Sequence, residues 1–86
     1  MSSVTFLATT DTVPEDHLLF DMNVGCATCW AIERKLLDEE SLAKPVSIRR
    51  FDHETMSYPH FYTPDGKRLT QRAVEKALQI TLPGRT

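Results

Sequence analysis

A chain of 86 residues, 41% apolar and 26% charged, suffices for one domain around one hydrophobic core, spanning residues 1–86. Ten Lys and Arg against twelve Asp and Glu leave a net charge of −2, which gives no electrostatic footprint for nucleic acid or an anionic membrane. No apolar run approaches the ~18 residues of a membrane span, and the two cysteines are too few for the framework of bridges that staples small secreted domains.

The first residues, Met1-Ser2-Ser3-Val4-Thr5, lack the basic start and long apolar stretch of a signal peptide, so a cytoplasmic location is expected. Val4-Thr5-Phe6-Leu7-Ala8 reads as a short strand, and the polar stretch Thr9 to Asp16, with Pro14 inside it, reads as loop. Leu18-Leu19-Phe20-Asp21-Met22 is a mostly apolar run, the pattern of a strand buried on both faces. Asn23-Val24-Gly25 is a bend. From Cys26 the period changes to that of a helix. Cys29, Ile32, Leu36 and Leu37 fall on one face, and Glu33, Arg34, Lys35, Asp38 and Glu39 fall on the other. The spacing predicts a helix from about Ala27 to about Leu42, stopped by Pro45.

Val46-Ser47-Ile48-Arg49-Arg50-Phe51 alternates like a strand with one wet face. Pro59-His60-Phe61-Tyr62-Thr63 reads as another strand, with proline tolerated at its first position. Pro64-Asp65-Gly66-Lys67 is a strong turn signal, and Lys67-Arg68-Leu69 can pair back as a hairpin arm. Thr70 then caps a last helix whose buried stripe is Val74, Ala77, Leu78 and Thr81, ended by Pro83-Gly84. The expected order is β-β-α-β-β-β-α: an α/β domain with a mixed sheet of four or five strands and two main helices.

The chemistry concentrates at Cys26-Ala27-Thr28-Cys29, where strand gives way to helix. Unpaired backbone N–H groups at a helix start act as roughly half a positive charge and favour thiolate over thiol. Cys26 is therefore the attacking thiol. Cys29, about one turn in and more buried, resolves the mixed disulfide. Two other readings of the pair stay open. Two thiolates suit a soft metal such as Cu(I), and two reduced cysteines also pack as small apolar groups. His53 and His60 are the histidines a zinc reading would need, but their spacing fits no compact finger, and no metal is expected. No Gly-rich phosphate loop or Ser–His–Asp set stands out, and no cofactor is expected.

Strand, Cys-x-x-Cys and helix together resemble the thioredoxin-like superfamily. The run Leu18 to Met22 resembles that family's central strand, with Asp21 as the carboxylate near its end. Tyr58-Pro59-His60-Phe61 resembles its cis-proline strand start, and Pro64-Asp65-Gly66-Lys67 its hairpin turn before the final helix. The similarity runs from Leu18 to Leu82. It implies a shortened domain, because the stretch from the Cys helix to Pro59 is too short for the usual second helix.

The resemblance further implies a thiol–disulfide oxidoreductase or electron carrier, working as a monomer with a protein disulfide as substrate and a reductase as partner, without nucleic acid or membrane. Asp21 would take the Cys29 proton, and Trp30, Tyr58, Pro59 and His60 would bind substrate. It also implies a cis Tyr58–Pro59 bond, where composition alone favours trans. Departures include Gly25 before the first Cys where the family has Trp, Ala27-Thr28 between the two, Trp30 after them, and Asp21 one residue closer to the motif. No basic residue precedes Cys26 and no Gly-Gly follows Lys67, so a glutathione site is not supported. Two alternatives stand beside this reading. One is a noncatalytic thioredoxin-like interaction domain. The other is a soft-metal carrier, since Gly25 to Cys29 and Ile32-Glu33 loosely resemble ferredoxin-like heavy-metal-binding domains, although Val24 stands where their Met would be.

Overall fold

The computed structural model describes residues 3–52, 54 and 58–84. The elements are β1 (Val4–Phe6), β2 (Leu18–Asn23), α1 (Ala27–Asp38), β3 (Val46–Phe51), β4 (His60–Tyr62), β5 (Arg68–Leu69) and α2 (Gln71–Leu78). This is the order read from the sequence. The described strands form one five-stranded sheet in the order β1-β3-β2-β4-β5, so β2 is its middle strand. β1, β3 and β2 run parallel, whereas β4 is antiparallel to β2 and β5 is antiparallel to β4. Parallel neighbours need a long crossover, and α1 supplies the one between β2 and β3.

The pleat sorts the side chains. Leu18, Phe20 and Met22 of β2 join Val46 and Ile48 of β3 and Phe61 of β4 in one core, which also takes Ile32 and Leu36 from α1 and Val74 and Leu78 from α2. Phe20 stacks on Phe61, with ring centroids 4.7 Å apart. Both helices therefore lie on one face of the sheet. Leu19, Asp21 and Asn23 alternate onto the other face. Part of that face is covered by the segment before β2, where the His17 ring meets the Ser47 hydroxyl at 2.7 Å. Asp11 and Val13 of the same segment bound an open pocket of about 360 Å³ over Leu19, Asp21, Arg49 and Tyr62. Because β2 is covered on both sides, its sequence opens on three consecutive apolar residues, Leu18-Leu19-Phe20, with Asp21 and Asn23 as the polar exceptions on the second face.

Three expectations need correction. α1 ends at Asp38, with Glu39 already extended (φ −73°, ψ 130°), rather than at Leu42. Leu42 is off the helical stripe formed by Cys29, Ile32 and Leu36, so it can enter the core only after the chain leaves the helix, and it is buried there. Within α1, Leu37 is exposed while Glu33 is buried, the reverse of the expected faces. The Arg50 guanidinium reverses them by pairing with the Glu33 carboxylate at 2.7 Å. α2 stops at Gln79, which takes the left-handed conformation (φ 58°) and closes the helix before Pro83, and Thr81 is exposed. At the other end of α2 the Thr70 hydroxyl accepts the Ala73 N–H at 3.1 Å, as expected of a cap. The tail then folds back. The Leu82 N–H donates to the buried Glu75 carboxylate at 2.7 Å, and Gly84 comes so near α1 that an added Cβ would lie 2.3 Å from Thr28 Cγ2. No described helix is long and apolar enough to cross a membrane.

Candidate functional site

The middle strand delivers the motif. β2 runs in register with β3 to its last residue, Asn23 beside Phe51, and the Val24 N–H continues the ladder onto Phe51 O at 2.8 Å. Asn23 then organises the bend. Its side-chain oxygen accepts the Gly25 N–H at 3.1 Å, and its backbone oxygen accepts the Cys26 N–H at 3.0 Å. Cys26 is the residue that caps α1: its backbone is extended (φ −108°, ψ 117°), and its sulfur accepts the Cys29 N–H at 3.4 Å. A sulfur thus sits where Ser, Thr, Asn or Asp usually supplies an oxygen to the orphan amides of a helix start. The first turn, Ala27-Thr28-Cys29-Trp30, carries no charged side chain that would compete for those amides.

The two cysteines are unequal, as the sequence implied. Cys26 keeps 7% of its surface exposed and Cys29 none, and no disulfide joins them. Burial pushes the Cys29 thiol up to about 11. A hydrogen bond to the Cys26 side chain and the charges of Cys26 and Asp21 add to the rise, while an Asn23 backbone hydrogen bond acts against it. At neutral pH the buried sulfur is a thiol that must lose a proton before it can attack.

The remaining expected residues divide between the two faces. Asp21 is half-buried on the face opposite Met22, in register with Arg49 on β3 and His60 on β4, and its charge is the weakest of the influences raising Cys29. Trp30 stands beside the cysteines, 42% exposed. Its indole N–H donates to Val24 O at 2.7 Å, and the Arg50 guanidinium lies 5.2 Å from its ring. Tyr58 and His60 belong to a separate aromatic group. Their rings are 4.7 Å apart, His60 Nδ1 is 3.3 Å from the Tyr62 hydroxyl, and Arg68 lies over the Tyr58 and Tyr62 rings at 5.7 and 6.0 Å. The Tyr58–Pro59 bond is trans, not the cis bond implied by the family resemblance. Trans is the lower-energy form of an X–Pro bond by about 0.5–1 kcal/mol, and Pro59 leads straight into β4 without a turn that would need the other isomer. His53 lies outside the described residues.

Sequence reading missed the Glu33–Arg50 pair, whose signal was present. Arg50 alternates onto the face of Val46 and Ile48, and Glu33 follows Cys29 by one helical turn. It also missed that Ser47, His17 and Asp16 line up, with His17 Nε2 3.8 Å from the Asp16 carboxylate. Ser47 is fully buried, so this trio tethers the loop to β3 and offers no nucleophile. Among the described residues, no group of three or more His, Cys, Asp or Glu side chains is placed to hold a metal ion. No family model matches the chain, and no curated protein or solved structure is significantly similar to it.

Proposed function

We propose that the chain is a dithiol–disulfide exchange protein of thioredoxin-like type, acting in the cytoplasm on protein disulfides. The observation that carries this reading is the Cys26 sulfur held as the cap of α1, with the Cys29 N–H directed at it at 3.4 Å. There the sulfur accepts one of the orphan amides of the helix start and is presented at the end of the middle strand. Supporting features are the motif's position at the end of the middle strand, Pro59 immediately before β4, and a β4–β5 hairpin leading into the last helix.

Cys26 thiolate attacks one sulfur of a substrate disulfide, forms a mixed disulfide and expels the other substrate sulfur as thiolate. Cys29 loses its proton, attacks Cys26 Sγ and expels the second substrate thiolate. The substrate gains two electrons, and the protein is left with a Cys26–Cys29 disulfide, which a reductase returns to dithiol with two electrons and two protons. The raised Cys29 thiol keeps the second step waiting until a base takes its proton. Asp21 is the carboxylate whose charge reaches that sulfur, though only weakly and from the opposite face of the sheet, so in this reading it takes the proton through water and not by direct contact. In this reading Trp30 borders the substrate path at the cysteines, and Tyr58, Pro59 and His60, in the separate aromatic group leading into β4, would meet only a longer, extended substrate.

Equilibration with glutathione redox buffers tests the proposal. A reversible Cys26–Cys29 couple between roughly −120 and −270 mV supports it, and a pair that never forms a disulfide refutes it. The second reading, a noncatalytic interaction domain, is favoured by the trans Tyr58–Pro59 bond and by the 7% exposure of Cys26. Cys26→Ser that leaves partner binding intact in a chain with no measurable couple would select it. A soft-metal carrier is less well supported, because a ferredoxin-like domain alternates as β-α-β-β-α-β and this chain does not.

A further inference from the structure

The sole tryptophan touches three parts of the structure at once: α1, the bend before it and β3. It starts on α1, directly after Cys29. Its indole N–H reaches back six residues to Val24 O at 2.7 Å, the carbonyl of the bend that presents Cys26. One ring face lies under the Arg50 guanidinium at 5.2 Å. Arg50 belongs to β3, the strand against which that bend is docked by the Val24 N–H to Phe51 O bond. The guanidinium itself is fixed. Its Nε and one Nη donate to the same Glu33 oxygen at 2.8 and 2.7 Å, and that carboxylate is buried at 4% exposure. A buried carboxylate holds its cation strongly, because losing the partner would leave a charge stranded in the interior. Arg50 also packs over the Phe6 ring at 4.7 Å, which anchors the same group to β1.

We propose that Trp30 is a positioning residue for the Cys26–Cys29 couple: with Arg50 and buried Glu33 it clamps the Val24–Gly25 bend so that Cys26 Sγ stays in line with the Cys29 N–H. The inference rests on the dithiol reading given above. Its physical content is a bias between redox states. The Cys29 N–H donates to Cys26 Sγ at 3.4 Å, and a sulfur carrying negative charge accepts that bond far better than a disulfide sulfur does. A rigid bend therefore favours the dithiol over the disulfide, and releasing the bend moves the equilibrium toward the disulfide.

The test equilibrates the full chain with oxidised and reduced glutathione. The two thiols pass two electrons and two protons to one glutathione disulfide, giving the Cys26–Cys29 bond and two glutathione thiols. Trp30→Phe keeps a ring and removes the N–H donor. It is expected to shift the equilibrium three- to tenfold toward the protein disulfide, tenfold corresponding to about 30 mV. Leu37→Ala, an exposed change on the same helix, is expected to leave the equilibrium within twofold of wild type. A Trp30→Phe equilibrium also within twofold of wild type overturns the proposal. If Trp30→Phe does not fold, the wild-type protein decides: an indole N–H protected from hydrogen exchange in the dithiol form supports the clamp, and one exchanging like free tryptophan overturns it. A wild-type chain that forms no Cys26–Cys29 disulfide in any buffer refutes the dithiol reading instead. The clamp then stands or falls on whether Trp30→Phe speeds exchange of the Cys29 amide relative to that of Val74.

Discussion

Raising the pH of the reduced protein from 9 to 11 is expected to cost stability through one buried atom. Cys29 is fully buried, and its thiol is pushed from the ordinary 9.0 to about 11, chiefly because burial disfavours the thiolate. Between these values the unfolded chain has given up the Cys29 proton while the folded protein still holds it. The folded state then binds more protons, so stability falls as pH rises. The contribution is intact below pH 9 and is lost as pH passes through about 11. A difference of about two units at 1.36 kcal/mol each is about 3 kcal/mol. That is a large share of the ~4–13 kcal/mol expected for a chain of this length. Other groups titrate in the same range, so the quantity to measure is a difference. Urea denaturation of wild type and Cys29→Ala, both with excess phosphine reductant, is compared at pH 8 and pH 11. Wild type should lose about 2 kcal/mol more than the variant over that interval, with the rest of the difference reached above pH 11. The disulfide form of wild type, which has no Cys29 thiol to titrate, should behave like the variant. Parallel pH profiles for reduced wild type and Cys29→Ala would refute the buried-thiol assignment.

Two further substitutions test how the fold carries the site. Phe20 is fully buried on the middle strand and stacked on Phe61 at 4.7 Å. Phe20→Ala should therefore cost ~3–5 kcal/mol in urea denaturation, and a loss below about 1 kcal/mol would contradict its place in the core. Gly84 holds φ +84°, and an added Cβ meets Thr28 Cγ2 at 2.3 Å. Gly84→Ala should destabilise by about 1–3 kcal/mol, and adding Thr28→Ala should recover part of the loss. Additive costs would mean that the tail does not touch α1 there.

The element order was legible because the hydrophobic period changes, from a mostly apolar run at Leu18–Met22 to a helical stripe after Cys26 and to alternation at Val46–Phe51. Local chemistry marked the ends that depend on local chemistry: Thr70 as a cap, and the turn before Lys67, where Gly66 takes φ 93°. The place of Cys26 at the start of α1 was legible from the bend before it, whereas its sulfur's role as the cap was not. What escaped depended on partners far along the chain. The early end of α1 reflects where Leu42 must go to be buried. The inward turn of Glu33 needs Arg50, seventeen residues later. Strand order is likewise a long-range property, decided by which apolar faces share the helices. The resemblance implies a cis Tyr58–Pro59 bond, whereas Pro59 has the trans form that proline chemistry alone favours. Tyr58 and His60 were read as neighbours of the cysteines in sequence pattern, but their ring contacts are with each other, Tyr62 and Arg68.

The most direct measurement of the central claim is capture of a substrate disulfide by the reduced protein, followed by mass spectrometry of intact chains. Wild type should release reduced substrate and carry a Cys26–Cys29 disulfide. Cys29→Ser should accumulate a mixed disulfide at Cys26, and Cys26→Ser should form none. A Cys26 that alkylates no faster than free cysteine at neutral pH, with no mixed disulfide in Cys29→Ser, would contradict the exchange chemistry and leave the two sulfurs as packing atoms of the core.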